Sequence, residues 1–376
     1  MNIIDYIELV FTDYTLRNIT LGTAILGAIC GMLGSFAVLR KQSLLGDAIS
    51  HAALPGIAIA FLILETKSTN GFLLGALISG LLGTFWIRGI IRNTHLKSDT
   101  ALGLILSLFF GFGMLLLTFI QKQPNANQAG LEKYLFGQAA TLVESDVMVM
   151  SLITGICLLV VLLFWKELKI SVFDSEYTKT LGFNTNFLDI LITSFIVIAI
   201  VLGLQTVGVV LMSAMLLAPA AAARQWTNSL AVMILLAAVF GAFAGITGTA
   251  ISATQNNLST GPVIVLVAGF FVLVSFIFSP GRGLLFREIR FRKNRNDLEL
   301  YKTLSFMHTI AKTHERIEHP HEIKILNNFY GYNKKSLRKL ADKNYINVKG
   351  SLWSMTPHGF KTAENLYDQS TITEDE

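Results

Sequence analysis

An acid, an imidazole and a proline follow one another at intervals of four residues within a strongly apolar stretch. Asp47, His51 and Pro55 occupy these positions in the run from Ser43 to Ile57. On a helix, residues four apart lie one turn apart on the same face. Proline has no N–H group, so Pro55 also leaves the carbonyl group of His51 without its helical partner. The spacing therefore predicts a stripe that holds one carboxylate, one imidazole and one unpaired carbonyl group.

Three kinds of chemistry fit this stripe. Ionisable groups inside a bilayer cost about 2.5–3.5 kcal/mol each on insertion scales, and they are usually paired or line a polar path. A neutral imidazole and a carboxylate suit divalent metal ions, which favours a metal site at Asp47 and His51. The alternatives are a helix-end acid with a histidine bonded to a neighbouring helix, and a proton relay through the same two residues.

The composition is that of a polytopic membrane protein with a soluble extension. Hydrophobic residues make up 52% of the chain, and 16 of the 30 Lys and Arg residues lie within residues 286–376. A spanning helix needs about 20 mostly apolar residues. Cys30 and Cys157 lie within apolar runs, so neither a disulfide framework nor a thiolate metal site is predicted. Nine segments are predicted to span the membrane: 17–39, 46–64, 71–92, 99–120, 143–165, 187–204, 207–223, 228–250 and 261–279.

The loops between these segments predict an orientation. Nine Lys and Arg residues lie in loops on one side and three on the other, and the richer side is expected in the cytoplasm. The N-terminus is then outside and the C-terminal region is cytoplasmic. Only two residues join segments 187–204 and 207–223, so a count of eight or ten spans also fits. Residues 3–11 are predicted to lie on the outer membrane surface, and residues 121–138 are predicted to form an external loop.

The source of energy is indicated by what the chain lacks and by one internal loop. No G-x-x-x-x-G-K-[ST] motif occurs, so no Walker site for ATP is predicted, and energy must come from a partner or an ion gradient. Residues 174–183 can form a short amphipathic helix that ends at Gly182. Such a helix can dock into a groove on a soluble partner. A solvated loop is the alternative.

Three motifs resemble those of a known transporter family. The run GDAISHAALPGIA at 46–58 is similar to the signature of the membrane subunits of manganese, zinc and iron ABC importers. The run EYTKTLGF at 176–183 is similar to the helix through which these permeases contact their ATPases. The run VGVVLMSAMLLAPAAAA at 207–223 resembles a further helix of the family that contains a proline. The resemblance covers residues 15–280 in the expected order.

The resemblance implies roles for particular residues. Asp47 and His51 match the cation-coordinating positions of the family. Because proline lacks an N–H group, Pro55 and Pro219 are predicted to kink their helices, although the helix with Pro219 also fits an ordinary packed helix of small residues. The implied contact with the ATPase involves four residues of the internal loop: Glu176, Thr180, Leu181 and Gly182. The implied fold is an all-α membrane domain over residues 1–285, similar to type II ABC importers.

The resemblance also implies an assembly. We expect a homodimer with two ABC ATPase subunits and an extracytoplasmic metal-binding protein, in the plasma membrane. Around a two-fold axis, the two copies of Asp47 and His51 would supply four ligands. The chain itself is expected to be no enzyme and to hold no cofactor, because the divalent metal ion is its transported substrate. Ligation requires a neutral imidazole and an ionised carboxylate, so uptake should weaken at acid pH.

Residues 286–376 depart from the family pattern. They are predicted to form helices at 298–317, 321–330 and 334–343, then two short strands and a helix from Pro357. This order is similar to a winged helix-turn-helix of the iron- and manganese-dependent repressors. A basic stretch at 287–295 is predicted to contact anionic lipid.

Two further features of this region have open interpretations. The helix at 334–343 carries five cations: Lys334, Lys335, Arg338, Lys339 and Lys343. A solvated face is favoured over nucleic-acid binding for these cations, because no base-reading residues are identified. Four histidines fit a cytoplasmic metal sensor, although they lack tight ligand spacing: His308, His314, His319 and His321.

Taken together, the sequence predicts the membrane-spanning subunit of an ABC importer that moves Mn²⁺, Zn²⁺ or Fe²⁺ into the cytoplasm. The alternatives are a proton-coupled metal carrier and a membrane-tethered, metal-responsive regulator.

Overall fold

The chain consists of two compact units. The computed structural model describes residues 12–66, 68–122, 137, 139–254, 258–313, 319–328 and 334–372. The units are Met1–Gly283 and Leu284–Glu376. The predicted surface stretch 3–11, most of the predicted loop 121–138, and His314 lie outside the described residues.

The first unit is a bundle of helices. Its long apolar runs are helical because a helix satisfies its own backbone N–H and C=O groups where no water is present. The helices are α1 Tyr14–Leu39, α2 Leu45–Leu64, α3 Thr69–Asn93, α4 Ser98–Gln121, α5 Glu144–Leu163, α6 Trp165–Phe173, α7 Ser175–Thr180, α8 Thr185–Thr206, α9 Val209–Trp226, α10 Leu230–Thr254 and α11 Thr260–Phe278. A 3₁₀ turn at Ala139–Thr141 precedes α5.

Eight helices in the described part of the chain are long and apolar enough to span a bilayer, rather than the nine predicted. They are α1, α2, α3, α4, α5, α8, α10 and α11. The difference is the predicted span 207–223, which lies in α9. α9 has only 18 residues, many of them alanine, and its last turn contains Arg224 and Gln225. With 18 residues, it is the shortest of the helices that correspond to the predicted spans.

Polar contacts show which helix ends lie together. The N–H group of Glu144 donates to the hydroxyl oxygen of Tyr14 at 3.2 Å, so α1 and α5 begin at the same end of the bundle. At the other end, Arg40 follows α1 and pairs with Asp189, the fifth residue of α8, at 2.9 Å. α1 and α8 therefore run in opposite directions.

α9 turns back directly after α8. Gly208, with a φ of 91°, joins the two helices, and glycine adopts this conformation at no steric cost. At 1.5 Å per residue, α9 extends for about 27 Å. Its far end meets the end of α11, where the indole N–H of Trp226 donates to the hydroxyl of Ser275 at 2.9 Å. α9 thus runs through the bundle from one end to the other.

α1 is the buried centre of this unit. It packs most extensively against α10, and most of its residues from Asn18 to Ala37 are buried. A Cβ atom on Gly27 would overlap the carbonyl oxygen of Gly241 in α10, so these two backbones are in direct contact. Small residues allow membrane helices to approach this closely.

The second unit is a small α+β domain. Its elements are α12 Leu284–Lys312, β1 His321–Glu322, a 3₁₀ helix Ile323–Asn328, α13 Lys334–Asp342, β2 Ile346–Lys349, β3 Leu352–Met355 and α14 Pro357–Ile372. β3 is the central strand and pairs antiparallel with both β1 and β2. The core of this unit includes Leu304, Met307 and Leu340 around the fully buried Trp353.

The helix predicted at 321–330 is wrong. Residues 321–322 are extended and pair with β3, and residues 323–328 form a 3₁₀ helix. The ring of His321 lies against the indole of Trp353, with their centroids 4.9 Å apart. The N–H group of Ile323 donates to the carbonyl of Ser351 at 2.9 Å. Tertiary pairing with the hairpin therefore overrides the local helical pattern.

Candidate metal site

The acid and the imidazole lie where the sequence predicts, on the first two turns of α2. Asp47 is in the first turn, where the helix dipole favours a negative charge. His51 follows one turn later, and both side chains are half-buried. The edge of the His51 ring meets Phe110 of α4, with centroids 4.7 Å apart. The pair therefore faces the region where α2 and α4 meet.

His51 retains an available ligand atom. Its Nδ1 atom is buried and has no hydrogen-bond partner among the described residues. The hydroxyl of Ser50, also buried, has no partner in the described part of the chain either. Buried polar atoms are usually satisfied, so each of these atoms requires an explanation. The alternative interpretation combines a helix-end acid with a histidine bonded to a neighbouring helix. The position of Asp47 in the first turn agrees with the first part, but Nδ1 of His51 provides no support for the second.

Sequence reasoning missed Ser50, although its spacing gives a signal. Ser50 lies three residues after Asp47 and directly before His51, on the same side of α2 as the acid. A serine hydroxyl is both a donor and an acceptor. It therefore adds a polar oxygen beside the acid and the imidazole.

Pro55 lies inside α2, is buried, and packs closely against α4, while a neighbouring residue of α2 bonds to α3. One residue after His51, the carbonyl of Ala52 accepts a hydrogen bond from the hydroxyl of Ser79 in α3 at 2.6 Å. On the α4 side, a Cβ atom on Gly113 would lie 3.2 Å from Cδ of Pro55. These contacts hold this segment of α2 between α3 and α4.

The second proline motif packs on the other side of the pair. Pro219 is buried inside α9. Earlier in α9, Ser213 faces the start of α2, because a Cβ atom on Gly46 would lie 3.0 Å from its Cα atom. The two proline-containing helices are therefore neighbours at the level of Asp47.

One copy of the chain supplies two of the ligands that a metal ion needs. Among the described residues there is no group of three or more His, Cys, Asp or Glu side chains able to hold a metal ion. Transition metals in proteins are commonly bound by four or more donors. Asp47 and His51 of one copy are two such donors, fewer than a typical ligand set.

The histidines of the second unit are not grouped as a sensor site. His308 lies against the ring of Phe360, at 4.4 Å between centroids. His319 and His321 lie near each other, at 5.2 Å between ring centroids. Within the described ranges these three do not form a metal-binding group.

The predicted docking loop forms a capped helix. α7 starts after Asp174, whose carboxylate accepts from the N–H of Tyr177 at 2.9 Å. At its end, Gly182 has a φ of 84°. The N–H groups of Gly182 and Phe183 donate to the carbonyls of Lys179 and Thr178 at 3.0 and 3.3 Å. This is the paired bonding of a Schellman motif, which terminates the helix at the predicted glycine.

The residues predicted to contact the ATPase all lie on the surface of this helix and its cap. Glu176, Thr180, Leu181 and Gly182 are exposed. Tyr177, which the sequence reasoning passed over, is 52% exposed, and Leu181 is 46% exposed. Two large apolar side chains in water on one short helix favour a protein contact over a solvated loop.

Comparison with known proteins extends these observations to the whole first unit. The ABC 3 transport family matches residues 12–279. The zinc transport system membrane protein TroC of Treponema pallidum is 53% identical over 283 residues, covering 75% of this chain and 95% of TroC. The manganese transport system membrane protein MntC of Bacillus subtilis is 48% identical over 274 residues, covering 73% of this chain and 63% of that protein.

A solved structure has the same fold. PsaBC from Streptococcus pneumoniae in complex with Fab matches with a TM-score of 0.67 and 34% identity, covering 77% of this chain and 100% of the matched chain. The family match ends at residue 279, so the second unit lies beyond it.

Proposed function

Since the chain belongs to the ABC 3 transport family, we propose that it is the membrane-spanning subunit of an ABC importer that moves a divalent metal ion into the cytoplasm. Relatives that match almost their full length are membrane proteins of zinc and manganese transport systems. The observation that carries the proposal is the buried, unpartnered Nδ1 of His51 one turn from Asp47 in an apolar bundle. The transported ion is Mn²⁺, Zn²⁺ or Fe²⁺.

The metal site is completed by a second copy of the chain. Two copies of Asp47 and His51 around a two-fold axis provide two carboxylates and two imidazoles. This set suits a first-row divalent ion. Affinity alone favours Zn²⁺ over Mn²⁺, so ligand geometry and metal availability select the substrate.

The protein does not hydrolyse ATP itself, and its partners supply the energy and the metal. An ABC ATPase subunit docks on α7, where the exposed Tyr177 and Leu181 fill a groove on the partner. An extracytoplasmic metal-binding protein delivers the ion to the opposite face. The chain holds no resident cofactor, because the metal is the cargo.

The α7 end of the bundle faces the cytoplasm of a plasma membrane protein. Support comes from the cations at that end, which include Arg40, Arg88, Arg92 and Lys179. Because α9 also runs through the bundle, the chain leaves α11 at the same end at which α1 finishes. The N-terminus is then outside and the second unit is cytoplasmic.

We infer that the second unit is winged-helix-like, with α12 and α13 followed by the β2–β3 hairpin and α14, and with β1 and a 3₁₀ helix inserted between α12 and α13. α13 exposes Lys335, Arg338 and Lys339 and buries Leu337 and Leu340 in the core. We assign these cations to a solvated face rather than to nucleic-acid binding, because α13 presents no set of base-reading side chains.

Uptake of radioactive metal tests the proposal. Cells that lack the native gene receive the wild type, Asp47→Asn, His51→Ala, or His95→Ala as a control. His95 is an exposed histidine between α3 and α4. We expect uptake of one metal to be abolished by Asp47→Asn and His51→Ala, with normal protein levels, and to be unchanged by His95→Ala.

Two further strains separate the alternatives. A Walker-dead ATPase partner should abolish the same uptake, whereas collapse of the proton gradient should leave it intact. Uptake that survives the dead ATPase but stops without the proton gradient would instead establish a proton-coupled carrier. Normal uptake in both site variants would refute the metal site.

A further inference from the structure

A large cavity with both polar and apolar lining residues lies at the α7 end of the bundle, where α2 also begins. Its volume is about 1060 Å³. It lies between the last turns of α3, the end of α6, the helix α7 and the first turns of α8, with Arg40 and Gln42 at its inner side. Neither member of the proposed metal pair lines it.

The cavity is strongly basic. Four cations line it, and the single carboxylate among its lining residues is Asp189. Asp189 pairs with Arg40, whose side chain is only 12% exposed. Arg88, Arg92 and Lys179 line the cavity and form no direct ion pair with a carboxylate among the described residues, although Asp189 also attracts Arg88. Such a concentration of positive charge attracts an anion.

The outer edge of the cavity is apolar. Phe85 of α3 is 71% exposed, Phe173 of α6 is 55% exposed, and Ile190 of α8 is 53% exposed. These side chains line the same cavity as the cations. A ligand that fills it must therefore combine an anionic group with hydrocarbon. Basic pockets between membrane helices on the cytoplasmic side bind anionic lipid head groups in this way.

We propose that this cavity binds the head group of an anionic phospholipid from the cytoplasmic leaflet. Arg88 and Arg92 on α3 and Lys179 on α7 hold the phosphate, and Phe85, Phe173 and Ile190 contact the acyl chains. The lipid thereby links α3 to the helix on which the ATPase docks. The proposal relies on the membrane orientation given above, but lipid binding is measured without transport, so the two fail separately.

An inorganic phosphate or a protein carboxylate fits the cavity less well. Either would satisfy the cations, but neither would cover the three exposed apolar side chains at the edge. A phospholipid does both, because its phosphate and acyl chains are joined in one molecule.

Retention of lipid by the purified full-length chain tests the proposal. The protein is incubated in detergent with dioleoyl phosphatidylglycerol or dioleoyl phosphatidylcholine, and bound lipid is counted by native mass spectrometry. We expect retention of phosphatidylglycerol only. Arg88→Gln, Arg92→Gln and Lys179→Gln should each weaken retention of phosphatidylglycerol about fivefold, which is the contribution of one Lys or Arg near a membrane surface to the binding of anionic lipid. Lys97→Gln, a cation outside the cavity, should leave it unchanged.

A variant of opposite sign guards against misfolding of the cation variants. Asp189→Asn removes the single lining carboxylate, so it should strengthen phosphatidylglycerol retention. Equal retention of both lipids, or unchanged retention in the three cation variants, would overturn the proposal. Displacement by excess inorganic phosphate would assign the site to free phosphate, and displacement by the ATPase subunit would assign it to the protein partner. Either result would also overturn the lipid assignment.

Discussion

The crossing of α2 and α3 allows no side chain at two glycines, and it lies just beyond His51. A Cβ atom on Gly56 would overlap the carbonyl oxygen of Gly75 and lie 2.7 Å from Cβ of Ser79. A Cβ atom on Gly75 would overlap the carbonyl oxygen of Gly56 and lie 2.9 Å from Cβ of Ala60. Both replacements therefore require the two helices to move apart.

The size of the effect follows from this geometry. Overpacking of a close contact costs about 1–3 kcal/mol, so we expect Gly56→Ala and Gly75→Ala each to destabilise the bundle by that amount. Both changes demand the same helix separation. The double variant should therefore cost less than the sum, with a coupling of about 0.5–3 kcal/mol.

Gly89→Ala is the matched control on α3. A Cβ atom at Gly89 would meet no atom within 4 Å, and alanine is favoured over glycine in helices by about 1 kcal/mol. This variant should be as stable as the wild type or more stable. The change at Gly89 therefore separates the effect of helix propensity from the effect of the crossing.

Denaturant unfolding of the full chain in detergent micelles measures these differences, and metal uptake measures the functional consequence. Uptake should fall in Gly56→Ala and Gly75→Ala, because the displaced α2 carries His51. If these variants unfold like Gly89→Ala, or if their costs add, the close crossing is not a determinant of stability and the reasoning fails.

Two other predictions concern the docking helix and the second unit. Gly182→Ala should weaken co-purification of the ATPase, because a non-glycine residue with a φ of 84° costs about 1–2 kcal/mol. The control Gly103→Ala lies in a regular helix with open space around its Cβ position, so it should leave co-purification unchanged. Equal co-purification of the ATPase with both variants would exclude a role for the cap. Burial, and then the nearby Lys312, lower the pKa of His308, while Glu364 raises it. Below about pH 6.5, His308 is therefore protonated more readily in the unfolded chain than in the folded unit. The free energy of unfolding of the second unit is then highest above about pH 6.5 and decreases below it. This prediction is checked by urea unfolding of the full chain from pH 7.5 to 5.5. Unfolding is followed by the fluorescence of Trp353, with the other tryptophans replaced by phenylalanine. In a His308→Gln variant the free energy of unfolding should no longer depend on pH in this range, and an unchanged pH dependence would contradict the assignment to His308.

Much of the membrane unit could be predicted from the sequence because its signals are local. Long apolar runs are helical in a membrane whatever surrounds them, and the bounds of α1, α2 and α4 differ from the predicted spans by only a few residues. The spacing of Asp47 and His51 placed them one turn apart before any tertiary contact was known. The cap at Gly182 was also predicted, since it depends on the conformation of one residue.

The features that depend on contacts between distant segments could not be read from the sequence. The apolar pattern of α9 leaves open whether it crosses the whole bundle, and the contact of Trp226 with Ser275 near the end of α11 shows that it does. The helix predicted at 321–330 is partly a strand, because its residues pair with β3. Ser50 and Ser79 gained their significance only when one was found buried without a partner and the other bonded to the carbonyl next to His51.

The sequence alone therefore indicated the class of protein, and residue type and spacing along single helices were sufficient to predict the two candidate ligands and the short helix at 175–180. Only the tertiary structure decided how tightly α2 is held between α3 and α4, and which cations gather around the basic cavity. Arg40, Arg88 and Lys179 come from three separate segments, and no pattern along the chain encodes the distance between them. Their convergence results from helix packing, which is set by the small residues at the crossings.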